Sequence, residues 1–394
     1  MNETVVLYAS VGPALTRYAV DIDRAELARH ESVMVAENVQ YAWPHVSGRY
    51  LYVASSNSAS GLGPVGNSHQ VTAFSIHPES GVLTPHGKPI PLPTRPIHMA
   101  TDIASEHILV AFSNPGAFRI YRINPDATLG SEVHQSGPID PGIYPHQVRA
   151  TPDDKHVILV TRGHSATKAK PEEPGALKVF NYAGGTLSHE VFVAPNDGYG
   201  FGPRHLDFHP TQPWVYVSLE RQNALAMFAM QNGTLSAAPR FTKPTLSAPT
   251  HTRQLAGTVH VHPNGRFVYA VNRASDGAMF DGTEVFAGGE NTLVVYAIDP
   301  ATGEPTAIQH IDTGGIHCRT FHIDPSGRLL VAAHIMAMSV RDGSGIRNVP
   351  ACLSVFRIAD DGRLHFERIY EVDVGDKTMF WMGMVTLHGN RADA

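Results

Sequence analysis

HVHPNGRFVYAVNR, residues 260–273, followed after an insertion by LVVYAIDP at 293–300, holds one structural unit of this chain. A short strand leads into a turn where Pro263 presets φ and Asn264 and Gly265 tolerate the later positions. The run that follows, GRFVYAVN from Gly265, is continuous in β-branched and aromatic residues, the pattern of a strand covered on both faces. The third strand alternates about an aromatic, Tyr296. That third phrase recurs as ALTRYAVD, QVTAFSIH, FRIYRINP, LKVFNYAG, LAMFAMQN and LSVFRIAD, centred on Tyr18, Phe74, Tyr121, Phe180, Phe228 and Phe356. Seven copies, 47 to 68 residues apart, mark an array of strand-rich repeats. The second-strand phrase repeats with it, as GRYLYVAS from Gly48, EHILVAFS from Glu106, KHVILVTR from Lys155, QPWVYVSL from Gln212 and GRLLVAAH from Gly327. The expected fold is all-β, a seven-bladed β-propeller, with residues 1–394 as a single domain.

The two ends of the chain predict how the ring closes. The N-terminus opens directly in a second-strand phrase, VVLYAS at Val5, and the C-terminus ends in an apolar run, MFWMGMVTL at Met379, with the character of a first strand. The C-terminal strand is therefore expected to complete the N-terminal blade, which leaves the ring without a free end.

Composition narrows the functional classes. The 394 residues carry a net charge of -6 and are 42% hydrophobic, with no basic stripe of the kind that tracks nucleic acid. No apolar run approaches a membrane span and the N-terminus lacks a signal-like core, so the expectation is a cytoplasmic protein with neither a membrane nor a nucleic-acid partner. Two cysteines, Cys318 and Cys352, cannot build a disulfide framework. Oligomeric state is not legible.

In a propeller the first strand of each blade lines the central channel. Four long insertions, starting at Ser55, Arg162, Ala274 and His334, join second to third strands and so gather on one face, as loops that shape a site do. Register with the turn proline places His146, Arg204 and Arg319 six residues before Pro152, Pro210 and Pro325, at one height in the channel. His260 and His98 enter the lumen from other first strands, and the ends of second strands add Glu220, Arg273 and His334. Ionisable groups on such strands are costly unless paired or wet, so their convergence points to a site.

The phrases GPRHLDFHP, VYVSLE, HVHPNGRFVYAVNR and CRTFHIDPSGRLLVAA resemble the seven-bladed lactonase family, which includes bacterial 6-phosphogluconolactonase and fungal carboxy-muconate cycloisomerase. The similarity runs through essentially all blades and is strongest from His146 to Ala333. It implies a catalytic set at His146, Arg204, Glu220 and Arg273, and Arg319 matches a further family arginine; position near the channel makes His98, His205, His260, Arg319 and His334 the candidate substrate contacts. Two departures stand out: Ser218-Leu219 precedes Glu220 where the family has Val-Asn, and His334 replaces an Asn, Gly or Gln.

These residue types suit lactone opening, which needs an activated water, an oxyanion partner and a proton for the leaving alkoxide. Glu220 and His146 are candidates for proton transfer, and the arginines for binding an oxyanion or a substrate carboxylate. Neighbouring arginines also lower the Glu220 pKa, which leaves a second role open, as the group that holds them. The same residues suit a cycloisomerase closing an unsaturated diacid to a lactone, and a non-catalytic binding scaffold is the third reading. The partner is a small lactone or carboxylate. No cofactor is required, although the channel histidines leave a divalent metal as an alternative. The rim loops offer only Lys168, Lys170, Arg341 and Arg347 as further cations, which keeps 6-phosphogluconolactone among the candidates without favouring it over a carboxylated or unphosphorylated lactone.

Overall fold

The computed structural model describes residues 4–59, 63–231 and 233–388. Seven antiparallel sheets form the blades, and no helix among the described residues is long and apolar enough to cross a membrane. In blade 1, Thr4–Val11, Ala14–Asp21 and Glu26–Met34 are joined by Met382–Leu387 as the innermost strand, with Leu7 opposite Met384. The ring thus closes as the sequence predicts, by the C-terminal strand completing the N-terminal blade. Blades 2 to 7 begin with the inner strands Asn38–Pro44, Pro96–Thr101, Pro145–Ala150, Pro203–Phe208, Leu255–Val261 and Cys318–Ile323. Of the four rim insertions, those in blades 6 and 7 are hairpins, Gly277–Phe280 with Thr283–Phe286 and Met338–Asp342 with Gly345–Val349. Residues 60–62 of the first insertion lie outside the described residues.

Packing follows from strands that bury both faces. In blade 5, Val215, Val217 and Leu219 face blade 4, while Trp214 and Tyr216 face blade 6. The core is accordingly divided into seven clusters, one between each pair of neighbouring blades, and each contains one of the seven repeat aromatics. All seven aromatics are buried.

Neighbouring blades are also tied by polar contacts from repeat positions. The hydroxyls of Tyr8, Tyr216 and Tyr269 donate to the carbonyls of Gly81, Gly303 and Gly362 in the next blade, and Tyr52 donates to Ala127. Two of the many histidines do similar work: Nε2 of His209 and of His262 lies 2.9 and 2.8 Å from the carbonyls of Gly265 and Gly327. Tyr216→Phe should cost about 1 to 3 kcal/mol, because it leaves a buried carbonyl without its donor. Urea unfolding of the variant checks this, and an unchanged midpoint contradicts it.

One irregularity recurs on the inner strands. In blades 2 to 5 and 7 a single residue is inserted opposite two consecutive residues of the second strand: Gln40, Ile97, His146, Arg204 and Arg319. Blade 6 has the equivalent shift at Gly257 and Thr258. A bulge of this type interrupts the two-residue alternation and re-aims the extra side chain. The six-residue offset from the turn proline, read in the sequence for His146, Arg204 and Arg319, marks this bulge.

Candidate functional site

Glu220 follows directly on the second strand of blade 5, Trp214–Leu219. Its backbone is fixed on both sides, the N–H donating to Gly202 and the carbonyl accepting from Ala256 of blade 6. The carboxylate is almost wholly buried and is shared by three guanidiniums. Arg162 Nη1 is 2.6 Å from Oε2, Arg204 Nε is 3.0 Å from Oε1, and Arg273 Nη2 donates to Oε1. Burial alone would raise the Glu220 pKa, but Arg162, Arg273 and Arg204 outweigh it and hold the carboxyl down to about 2. Arg204 is itself pulled down to about 9 by burial and by Arg273, and still carries its proton at neutral pH.

Beside this cluster lies a file of imidazoles. His146 and His205 have ring centroids 5.2 Å apart, and His205 and His98 6.0 Å. Arg204 Nη1 reaches 3.4 Å from His205 Nδ1, and His98 Nδ1 accepts the Val148 N–H while its ring packs 4.1 Å from Tyr41. All three histidines are driven well below their usual pKa, first by burial and then by the guanidiniums around them. They are neutral in the physiological range. Nδ1 of His146 is enclosed without a hydrogen-bond partner among the described residues, which leaves Nε2 as the nitrogen able to meet a substrate.

Arg319 occupies the bulge of blade 7. Its Nε donates to the Phe380 carbonyl at 3.1 Å, and its guanidinium lies 3.6 Å from the centre of the Phe380 ring. Arg95, just before the inner strand of blade 3, lies 5.5 Å from the same ring centre and donates from Nε to Gln40 Oε1 at 2.7 Å.

The structure thus brings Arg204, Glu220 and Arg273 into direct contact, and places His146 and His205 next to them. Two other candidates are elsewhere. His260 faces Asp207 at 3.6 Å and His322 at 5.7 Å between centroids, several residues farther down its strand. His334 is one residue out of step: it pairs with Cys318, the position of Leu219 rather than of Glu220. A one-residue difference reverses the facing of a strand side chain, so His334 points into the blade, with Nδ1 3.3 Å from Cys352 Sγ.

Three residues were missed by sequence reasoning. Arg162 has the strand register of Glu220, since Thr161 and Leu219 pair with the equivalent residues Pro145 and Pro203. Read as the start of a rim loop, it went unrecognised although the signal was present. Arg95 sits beside the RPIHMATD phrase. His317, held in a left-handed conformation by Asn291, lies 3.3 Å from Arg273 through Nε2 and 2.7 Å from Ser275 through Nδ1. The expectation that further cations would have to come from rim loops is thereby corrected, because Arg95 and Arg162 arise from the blades themselves.

Five guanidiniums, those of Arg95, Arg162, Arg204, Arg273 and Arg319, share the mouth with Glu220, and their only ion pairs among the described residues are with it. Among those residues no group of three or more His, Cys, Asp or Glu side chains is set to hold a metal ion. The geometry defines a propeller with five guanidiniums and one carboxylate gathered at its channel mouth. Residues 7–341 match the family described as "Lactonase, 7-bladed beta-propeller", and the chain belongs to that family. It is 26% identical over 329 residues to 6-phosphogluconolactonase of Bacillus subtilis, covering 80% of this chain and 83% of that protein. It is also 26% identical over 310 residues to the 6-phosphogluconolactonase of Enterobacter sp., covering 76% and 80%. The periplasmic gluconolactonase of Pseudomonas aeruginosa shares the fold with a TM-score of 0.71 at 21% identity, covering 98% of this chain and all of that one.

Proposed function

We propose that this protein is a lactonase that hydrolyses an anionic, sugar-derived lactone at the arginine-rich channel mouth. One observation carries the reading: both oxygens of the Glu220 carboxylate are already engaged by three guanidiniums. A carboxylate so engaged, with a pKa near 2, is a weak base and a strong organiser. Glu220 is therefore assigned to hold Arg204 and Arg273 where the lactone carbonyl accepts their N–H groups. Fixed donors aimed at a developing oxyanion stabilise the transition state without reorganisation.

Proton transfer falls to His146. Its neutral imidazole takes a proton from water as the water oxygen bonds to the carbonyl carbon, and returns it to the ring oxygen as the C–O bond breaks. The hydroxy acid then ionises, releasing one proton for each ring opened. The guanidiniums that weaken His146 as a base are partly neutralised when an anionic substrate enters, so basicity rises when it is needed. The names of the curated relatives and the surplus of arginine support a substrate with negative charge.

Proton release from a panel of aldonolactones, 6-phosphogluconolactone and muconolactones tests the proposal. The expected result is turnover of an anionic lactone, with kcat/KM lowered on the order of 10²- to 10³-fold in Arg204→Ala. Equal activity of wild type and variant on every lactone defeats it. Loss of ultraviolet absorbance from an unsaturated diacid, without lactone hydrolysis, replaces it with a cycloisomerase.

A further inference from the structure

We infer that Arg95 and Arg319, gathered around Phe380, form a second anion subsite that takes a charged group of the substrate remote from the reacting carbonyl. The inference rests on the lactonase reading for the word substrate, but on its own observations for the subsite. Unlike Arg162, Arg204 and Arg273, these two arginines have no carboxylate partner among the described residues. Arg319 is disfavoured as a cation by burial and by Arg204, Arg273 and Arg95 around it. Arg95 is buried and Arg319 half-buried, and neither has a protein countercharge among the described residues. Stacking on one aromatic ring offsets only part of that deficit. A bound anion is the countercharge that the pair lacks.

The pair is also pre-oriented. The hydrogen bonds found for Arg95 and Arg319 leave through Nε alone, to Gln40 Oε1 and to the Phe380 carbonyl. Each fork is thus held at its base while its terminal nitrogens remain free of protein acceptors among the described residues. Two such forks near one ring match the oxygens of a phosphate monoester or a carboxylate, which share the chemistry of a planar or tetrahedral oxyanion accepting paired N–H groups. Phe380 precedes the ring-closing strand, so closure of the propeller builds part of this subsite.

Calorimetric titration with inorganic phosphate and, separately, with acetate distinguishes the two sources. The wild-type protein is expected to bind one phosphate, weakened at least tenfold in Arg95→Gln and in Arg319→Gln and recovered in part in Arg95→Lys and Arg319→Lys, which keep the charge. Acetate binding with the same variant pattern and no phosphate binding assigns a carboxylate tail instead. With lactones, the preference for 6-phosphogluconolactone over gluconolactone, as a ratio of kcat/KM, should fall at least tenfold in both glutamine variants. Thermal melts confirm that each variant is folded. If neither ion binds the wild type, or if all folded variants bind as the wild type does, the subsite is overturned. Phosphate binding that depends on both arginines in a protein that opens no lactone supports the subsite and defeats the lactonase reading.

Discussion

Glu220→Gln is expected to lower kcat/KM on the order of 10³-fold and to destabilise the fold by about 3 to 5 kcal/mol. The stability loss comes from the partners: Arg162, Arg204 and Arg273 remain in the mouth without the charge that compensates them. The activity loss comes from geometry, since guanidiniums that repel one another no longer point at a common oxyanion position. A pH test isolates the carboxylate. The folded-state pKa of Glu220 is depressed to about 2, so its contribution to stability is fully present above the unfolded value of about 4.3 and is lost as pH falls toward 2. The variant lacks that limb. Wild-type stability and activity in Glu220→Gln would remove the organising role assigned to this residue.

Acid should weaken the fold well before Glu220 titrates. His98, His146, His205 and His334 are buried with folded-state pKa values pushed below 6.5, the last to about 4, with burial the leading cause in each. Below pH 6.5 the unfolded chain takes up protons that these groups refuse in the folded protein. Stability is therefore complete above about pH 6.5 and declines as pH falls through that value. Each group contributes up to about 1.4 kcal/mol per pH unit, so the four together come to about 5 to 6 kcal/mol at pH 5.5. That is comparable with the whole stability of many domains, about 5 to 15 kcal/mol. Tm should drop steeply between pH 7 and 5. A constant Tm across that interval would show that the four imidazoles take up protons in the folded protein.

The parts of this molecule legible in its sequence are those set by local rules. Alternation about Tyr18, Phe74 and their counterparts, and the turns at Pro152, Pro210, Pro263 and Pro325, specify strands, blades and ring closure. Those same turns aligned His146, Arg204 and Arg319, because the bulge lies at a constant distance from them. What remained hidden depends on contacts between blades. Arg162 carried a register signal, but its ion pair with Glu220 joins neighbouring blades, and Arg95 and Arg319 share a ring supplied by the closing segment; neither association is written in one local phrase. His334 shows the converse, since one residue of register moves a plausible channel group into the blade interior.

The repeated bulge also sets how such a site can change. Each blade from the second to the seventh contributes an inserted slot at the same level, and the neighbouring strand residues keep their alternation whatever fills it. Substitution in a slot alters the chemistry of the mouth while the blade stays in register. Deletion of the same residue removes the slot, because its two neighbours already oppose consecutive residues of the second strand and would pair there without a bulge. The inner rim can therefore exchange or shed a mouth side chain while the strand beneath it keeps its pairing, so the chemistry of the mouth is separable from the construction of the ring.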